Sequence, residues 1–164
     1  MKVGIMSDSH DRLPYIKRAV DIFNRESVDL VLHAGDYVAP FVVLELSKLN
    51  CNLIGIFGNN DGDKDYLRKK FGEHGFSLYI APYVIQLGGR RFLLVHYPDL
   101  VDSLAKSYDF DIIVYGHTHK LDIRYKDKTL IINPGETAGW LNRPSIVVLD
   151  TDTLKPRTFY LDAT

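Results

Sequence analysis

The stretch LIGIFGNND, residues 53–61, combines a buried strand with a polar turn and decides how the rest of the chain is interpreted. Its first five residues are apolar or glycine, as is typical of a strand in the interior of a sheet. A turn after such a strand needs one glycine and any polar residue, whereas here Gly58 is followed by Asn59, Asn60 and Asp61. The excess of polar groups predicts that this strand delivers functional side chains at its carboxyl end.

Short apolar runs of this kind recur along the chain and alternate with amphipathic helical segments. The predicted strands cover residues 3–6, 30–32, 53–57, 84–87, 92–95, 112–115, 123–125, 130–132, 146–149 and 158–161, and the predicted helices cover 14–26, 40–48 and 64–73. Strands that alternate with helices in the first half predict a parallel sheet with crossover connections. Tight turns between strands in the second half predict hairpins. The pattern therefore favours an α/β domain of two sheets packed face to face with helices outside, over residues 1–164.

Composition and charge exclude several classes of protein. The 164 residues carry 20 basic and 21 acidic side chains, a net charge of -1, which argues against binding to nucleic acid or to an anionic membrane. Cys51 is the only cysteine, so no internal disulfide can form. The N-terminus has too few consecutive apolar residues for a signal peptide, and no window approaches the roughly 18 apolar residues of a membrane span. We expect a cytoplasmic protein.

Polar side chains follow five of the apolar runs where each run ends. They are Asp8 and His10, Asp36, Asn59, His96, and the pair His117 and His119. Ligands of open α/β sheets bind beyond the carboxyl ends of the strands, so these side chains are expected to converge at one edge. Two carboxylates, one amide and four imidazoles suit divalent transition metals. Seven donors exceed the needs of one tetrahedral zinc ion and fit two ions that share a carboxylate.

Six motifs in order carry a resemblance to a known family. They are DSH at 8–10, GD at 35–36, GNND at 58–61, the single His96, GHTH at 116–119 and NPGE at 133–136. This series, over about residues 1–150, resembles the calcineurin-like metallophosphoesterases and, within them, the small single-domain YfcE-like phosphodiesterases. The resemblance implies a four-layer αββα sandwich of two mixed sheets with helices outside.

The resemblance also implies a role for each donor. One metal ion would be held by Asp8, His10 and His119, the other by Asn59, His96 and His117, with Asp36 as the bridge between them. Manganese or nickel would be preferred, with cobalt, iron or zinc as alternatives. A hydroxide bridging the two ions would attack the phosphorus atom of a phosphate ester. The implied catalytic residues are Asp36, Asn60, Asp61 and His96.

Two positions depart from the family pattern. Asn60 stands where many members have a histidine that is proposed to protonate the leaving group and many small relatives have a cysteine. A neutral amide donates hydrogen bonds but cannot act as a general acid. Tyr97 follows His96 at a position where glycine is common, and its phenol either narrows the substrate entrance or donates a hydrogen bond.

Four further polar or aromatic residues have alternative interpretations. His33, inside an apolar strand, is better explained as a hydrogen-bonded core residue, or as one that supports the ligands, than as a metal ligand. Asn133 either shapes a turn before a proline or supports the metal site. Trp140 either borders the site, contacts another subunit or packs locally. Arg143 either meets a phosphate oxygen or has a structural or solvated role.

The function that these residues favour is a metal-dependent phosphodiesterase acting on a small or exposed phosphate ester. The first alternative is a scaffold or binding module of the retromer-subunit type, which has this fold and has largely lost catalysis. The second is a nuclease, although a nuclease needs a basic groove that this composition does not suggest. We expect no membrane partner and no nucleic acid, and the pattern leaves a homodimer or homotetramer open.

Overall fold

The computed structural model of the chain describes residues 1–163, which form eleven strands and four α-helices. The strands are β1 (Lys2–Met6), β2 (Leu30–His33), β3 (Asn52–Ile56), β4 (Ser77–Tyr79), β5 (Tyr83–Leu87), β6 (Arg90–Leu94), β7 (Ile112–Val114), β8 (Leu121–Lys126), β9 (Thr129–Pro134), β10 (Ser145–Asp150) and β11 (Lys155–Tyr160). The helices are α1 (Leu13–Glu26), α2 (Val42–Leu46), α3 (Lys64–Glu73) and α4 (Val101–Ala105). Residue 164, which the predicted domain includes, lies outside the described residues.

The strands form two mixed sheets. The first has six strands in the order β11-β10-β1-β2-β3-β4, and the second has five in the order β5-β6-β7-β9-β8. In the first sheet β1 to β4 run parallel, as the alternating pattern predicts, and β10 pairs antiparallel with β1. In the second sheet β6, β7 and β9 are parallel, with the antiparallel β5 and β8 at the two edges. Parallel strands from both sheets can therefore end at one edge.

Three apolar clusters separate four layers. Val31 of the first sheet packs with Phe23 of α1, in the cluster between that sheet and α1 to α3. The next residue, Leu32, points the other way and packs with Ile112 of the second sheet, as strand alternation requires. A third cluster joins the outer face of the second sheet to Val101 of α4. This arrangement confirms the predicted αββα sandwich.

The elements that sequence periodicity did not reveal are the short ones. The strand β4 and the helix α4 have three and five residues, too few to establish a period. The helix α2 is also shorter than the predicted range 40–48, because only the turn over 42–46 is regular. Among residues 1–163, no helix combines the length and apolar character that crossing a membrane requires.

Candidate metal centre

Asp8, His10, Asp36 and His119 form the first of two donor groups at the shared edge of the sheets. Their donor atoms all lie within 4.8 Å of one another. Nε2 of His10 is 3.5 Å from Oδ2 of Asp36, and Nε2 of His119 is 3.6 Å from Oδ1 of Asp8. These distances exceed those of charge-assisted hydrogen bonds, and the buried Nε2 of His10 has no hydrogen-bond partner among the described residues. The four donors thus fit a site in which a common cation would contact each of them.

Asn59, His96 and His117 form the second donor group, on the other side of Asp36. The amide oxygen of Asn59 lies 2.8 Å from Nε2 of His96 and 2.9 Å from Nδ1 of His117. Nε2 of His96 lies 3.5 Å from Oδ1 of Asp36. The Asp36 carboxylate therefore presents Oδ2 to the first group and Oδ1 to the second. The structure brings all seven predicted donors together at the carboxyl ends of the strands.

The backbone at five of the seven donors is in the left-handed region. These residues are Asp8, His10, Asp36, His117 and His119, with φ between 38° and 65°. Each such non-glycine conformation costs on the order of 1 kcal/mol or more and persists only where the surroundings enforce it. Backbone hydrogen bonds supply that enforcement: the amide of Asp8 donates to the carbonyl of Gly35 over 3.0 Å. Conformational strain concentrated in this way is typical of a functional site.

Two glycines of the motifs are required by close approach. A Cβ atom on Gly58 would lie 2.1 Å from Oδ1 of Asp36, and one on Gly116 would lie 2.1 Å from Oγ of Ser7. Ser7 in turn donates a hydrogen bond over 2.6 Å to Oδ2 of Asp8. Any larger residue at either glycine would displace an aspartate of the donor groups.

Asp61 connects the two loops that carry Asp36 and Asn59. Its buried carboxylate accepts hydrogen bonds from four backbone amides, at distances of 2.7 to 3.2 Å. The donors are the N–H groups of Asp36, Tyr37, Val38 and Gly58. This carboxylate is directed at backbone rather than at the donor groups, so it holds the loop after β2 against the loop after β3.

The surroundings of the two aspartates set their protonation in opposite directions. Burial acts to raise the pKa of Asp36, but the nearby imidazole of His96 and the hydrogen bonds from Asn60 outweigh it and hold the pKa well below its usual value. Burial raises the pKa of Asp8, and the hydrogen bond from Ser7 opposes this only in part. Asp36 is therefore ionised at neutral pH and able to face two cations at once.

Glu136, the last residue of NPGE, is a member of the site whose role the sequence did not reveal. Its Oε2 accepts a hydrogen bond from Nδ1 of His119 over 2.9 Å, which leaves Nε2 of that ring free for a metal ion. The same carboxylate accepts from the backbone amides of Trp140, Leu141 and Asn142. Burial acts to raise the pKa of Glu136, but these hydrogen bonds outweigh it and lower the pKa. An ionised Glu136 thus orients a donor and anchors a loop.

His33 is a core residue with both ring nitrogens engaged. Its Nδ1 accepts a hydrogen bond from the amide of Gly35 over 3.1 Å, so the proton of the neutral ring resides on Nε2. That Nε2 donates to Oγ of Ser9 over 3.0 Å, and the ring stacks on Tyr37 with centroids 3.9 Å apart. His33 therefore supports the loops that carry the donors, in agreement with the core interpretation.

Arg143 and Trp140 lie in the loop after Glu136. Nε of Arg143 is 2.8 and 3.0 Å from the two carboxylate oxygens of Asp162, which favours the structural interpretation of this arginine. Trp140 is 58% exposed, and the guanidinium of Arg12 lies 4.4 Å from the centroid of its ring. This stacking supplies a local packing role for the tryptophan.

Asn133 and Tyr97 both contact the loop GHTH. The side-chain amide of Asn133 donates to the carbonyl of Gly116 and to Oγ1 of Thr118, over 3.0 Å each. Asn133 therefore supports the loop that carries two donors. Tyr97 is 49% exposed, and the centroid of its ring is 4.6 Å from that of His117. Its position beside a half-buried donor favours the interpretation that Tyr97 narrows the approach to the site.

The fold and the donor geometry agree with a comparison to known families. The model of the calcineurin-like phosphoesterase superfamily domain matches residues 1–154. The chain belongs to the calcineurin-like phosphoesterase superfamily. This membership confirms the resemblance drawn from the six motifs, and the known relatives include members of the small single-domain branch that the motifs indicated.

Two phosphodiesterases and two solved structures are similar to this chain. Phosphodiesterase MJ0936 of Methanocaldococcus jannaschii is 38% identical over 99% of this chain and 100% of its own length. Phosphodiesterase YfcE of Escherichia coli K12 is 26% identical over 94% of this chain and 90% of its own. The structure of an archaeal phosphodiesterase matches with TM-score 0.93 and 37% identity, covering 98% of this chain and 99% of that one. Zinc-bound Vps29 of Entamoeba histolytica, at TM-score 0.70 and 19% identity over 99% and 100% of the two chains, shares the fold.

Proposed function

We propose that this calcineurin-like phosphoesterase is a metal-dependent phosphodiesterase that holds two divalent ions. The observation that carries the proposal is the position of Asp36, whose two carboxylate oxygens each lie 3.5 Å from a histidine nitrogen of a different donor group. A single carboxylate between two sets of imidazole and oxygen donors suits a bridged pair of cations. The substrate would be a small or exposed phosphate ester.

The seven donors divide between the two proposed metal ions. Asp8, His10 and His119 would hold one ion, and Asn59, His96 and His117 would hold the other, with Asp36 common to both. Two divalent ions bound there would attract a phosphodiester anion, polarise its oxygens and lower the pKa of a water molecule that attacks phosphorus. Manganese and nickel are the proposed ions, because oxygen and imidazole donors accept them readily. Cobalt, iron and zinc are alternatives that also suit this set of donors.

The protein residues orient these groups and control access. Asp61 and Asn60 fix the position of Asp36, and Glu136 fixes the ring of His119. Asn60 stands where many family members have the histidine that is proposed to protonate the leaving group. A neutral amide cannot supply that proton. The leaving group would therefore depart with little protonation from position 60, which favours esters of acidic alcohols or phenols.

Metal analysis combined with hydrolysis tests this proposal. The chelator-treated protein is reloaded with manganese, nickel, cobalt, iron or zinc, and the rate on bis-p-nitrophenyl phosphate is measured with the bound metal per chain. We expect two ions per chain and activity only in the loaded protein. A stoichiometry of at most one ion together with no hydrolysis of any ester would contradict the proposal and favour the scaffold alternative.

The remaining sequence-based expectations stay predictions. The net charge of -1 gives no reason to propose a nucleic acid as the substrate, so a nuclease is the less favoured enzyme. The cytoplasmic location, the single domain over 1–164 and assembly into a dimer or tetramer are testable by fractionation, limited proteolysis and light scattering.

A further inference from the structure

A pocket of about 490 Å³ adjoins the second donor group. It lies between α3, the loop after β3 and the connection from β4 to β5, and two of the donors, Asn59 and His96, form one of its walls. A phosphate ester bound at the donor groups could thus place one of its two arms in this space. The pocket is therefore contiguous with the site of the proposed reaction.

The walls of the pocket combine apolar surface with positive charge. Phe57, Ile80 and Tyr97 supply apolar surface, and Ile80 is 73% exposed. Lys64 and Arg68 lie one helical turn apart on α3 and therefore project from the same face of the helix. An apolar group of a ligand could pack against this apolar surface. A negatively charged group attached to it would then lie within reach of Lys64 and Arg68.

The positive charges of Lys64 and Arg68 are not neutralised by neighbouring carboxylates. On the same helix Lys70 forms an ion pair with Glu73 at 2.7 Å, whereas neither Lys64 nor Arg68 forms an ion pair among residues 1–163. Their charged groups lie over the Phe57 ring instead, with Nζ of Lys64 at 5.7 Å and Cζ of Arg68 at 5.1 Å from its centroid. Asp65 is the only carboxylate lining this pocket, so two positive charges face one negative charge in a chain that is close to neutral overall.

We propose that this pocket binds one ester arm of the substrate and that this arm carries an anionic group of its own, a carboxylate or a second phosphate. The carbon skeleton of the arm contacts the apolar walls, and Lys64 and Arg68 bind the anionic group through charge-assisted hydrogen bonds. The substrate is then a phosphodiester with a second negative group, rather than one with two uncharged arms. This inference rests on the proposed phosphodiesterase function.

Matched synthetic esters test the preference for a charged arm. The parent is p-nitrophenyl phenyl phosphate, and its analogues carry a carboxylate or a phosphonate on the phenyl ring, or a carboxylate on the nitrophenyl ring. The manganese-loaded protein is assayed for kcat/KM on each ester. The variants are Lys64→Ala and Arg68→Ala, with Lys69→Ala as the control because it removes the same charge from α3 outside the pocket.

We expect each pocket variant to lower the kcat/KM of at least one charged ester relative to the parent by about fivefold, as for a partly exposed charge pair. The control should change that ratio by less than about twofold, and added salt should reduce the preference of the wild-type protein. The carboxylate and phosphonate analogues show which anion is bound more tightly. Ratios that are unchanged in both pocket variants, or changed equally in Lys69→Ala, would overturn the proposal.

A binding measurement separates this inference from the proposed function. The metal-free protein is titrated with phenylphosphonate, and the amide NMR signals of residues 64–68 are compared with those recorded with phenol as an uncharged probe. Shifts that are specific to phenylphosphonate and absent in Arg68→Ala support the pocket even if no ester is hydrolysed. Absence of such shifts in the wild-type protein would overturn the pocket, whereas absence of hydrolysis alone would contradict only the proposed function.

Discussion

The side-chain amide of Asn60 donates a hydrogen bond of 2.8 Å to Oδ2 of Asp36, and its backbone amide donates one of 2.8 Å to Oδ1. One residue thus holds both oxygens of the carboxylate that faces the two donor groups. Each carboxylate oxygen has a second lone pair, so these hydrogen bonds leave both oxygens able to bind a cation. Asn60 therefore has a positioning role that does not depend on a titratable side chain.

Substitution at Asn60 separates this positioning role from proton donation. Both Asn60→His and Asn60→Ala remove the side-chain amide that contacts Asp36. Only the histidine supplies a proton donor, with an unperturbed pKa of about 6.5. We expect the histidine variant to hydrolyse alkyl esters up to about 10²-fold faster than the alanine variant, with a smaller difference on nitrophenyl esters. The measurement is a plot of log rate against leaving-group pKa at fixed metal loading. Parallel lines for the two variants would show that position 60 cannot donate the proton.

Asp36→Asn should abolish hydrolysis of bis-p-nitrophenyl phosphate while the protein remains folded. The amide has lost the negative charge that faces both donor groups, so it cannot neutralise two cations or fix their separation. Asn59→Ala is the comparison, because it removes a neutral donor from one group and should mainly weaken one ion. Metal content, activity and circular dichroism are measured for both. A loss of only a few-fold in rate for Asp36→Asn would show that Asp36 is not shared by the two groups.

Glu136→Gln should weaken metal binding by the first donor group about 10- to 100-fold, as is usual when the partner of a ligating histidine is changed. The glutamine amide retains only one oxygen. That oxygen alone cannot accept the hydrogen bonds from His119 and from three backbone amides that the two carboxylate oxygens of Glu136 accept. Glu73→Gln, a charge-matched change at the exposed end of α3, is the control. Titration of the metal-free proteins with manganese gives the affinities. Equal affinities for wild type and Glu136→Gln would exclude an orienting role.

The seven donors could be predicted because each follows an apolar strand, and parallel strands bring such positions to one edge. Glu136 lies beyond the reach of this reasoning. Its contacts with His119 and with residues 140–142 depend on a loop that folds back on the motif, and no strand or helix period encodes that path. The contact between Asn60 and Asp36 could not be predicted for a similar reason, because it joins the loops after two different strands. The short elements β4 and α4 were missed because three and five residues are too few for a period to repeat.

His33 should make the folded protein less stable in acid. Burial lowers the pKa of His33 from 6.5 to about 3. Above pH 6.5 the ring is neutral in both the folded and the unfolded chain, so it contributes no pH dependence. Between pH 6.5 and about 3 the unfolded chain protonates this ring and the folded chain does not, so unfolding takes up a proton. The free energy of unfolding then falls as the pH falls, by at most about 1.4 kcal/mol per pH unit from this group.

His33→Asn tests this assignment because asparagine does not titrate and its Oδ1 can still accept the hydrogen bond from the amide of Gly35. The lost contact with Ser9 lowers stability by a similar amount at every pH and so does not change the slope. Urea unfolding of both proteins is measured between pH 6.5 and 4 in the presence of a chelator, so that metal binding does not contribute. We expect the wild-type free energy of unfolding to decline more steeply than that of the variant, because all other titrating groups are common to both. Parallel curves would show that the folded protein protonates His33 as readily as the unfolded chain does.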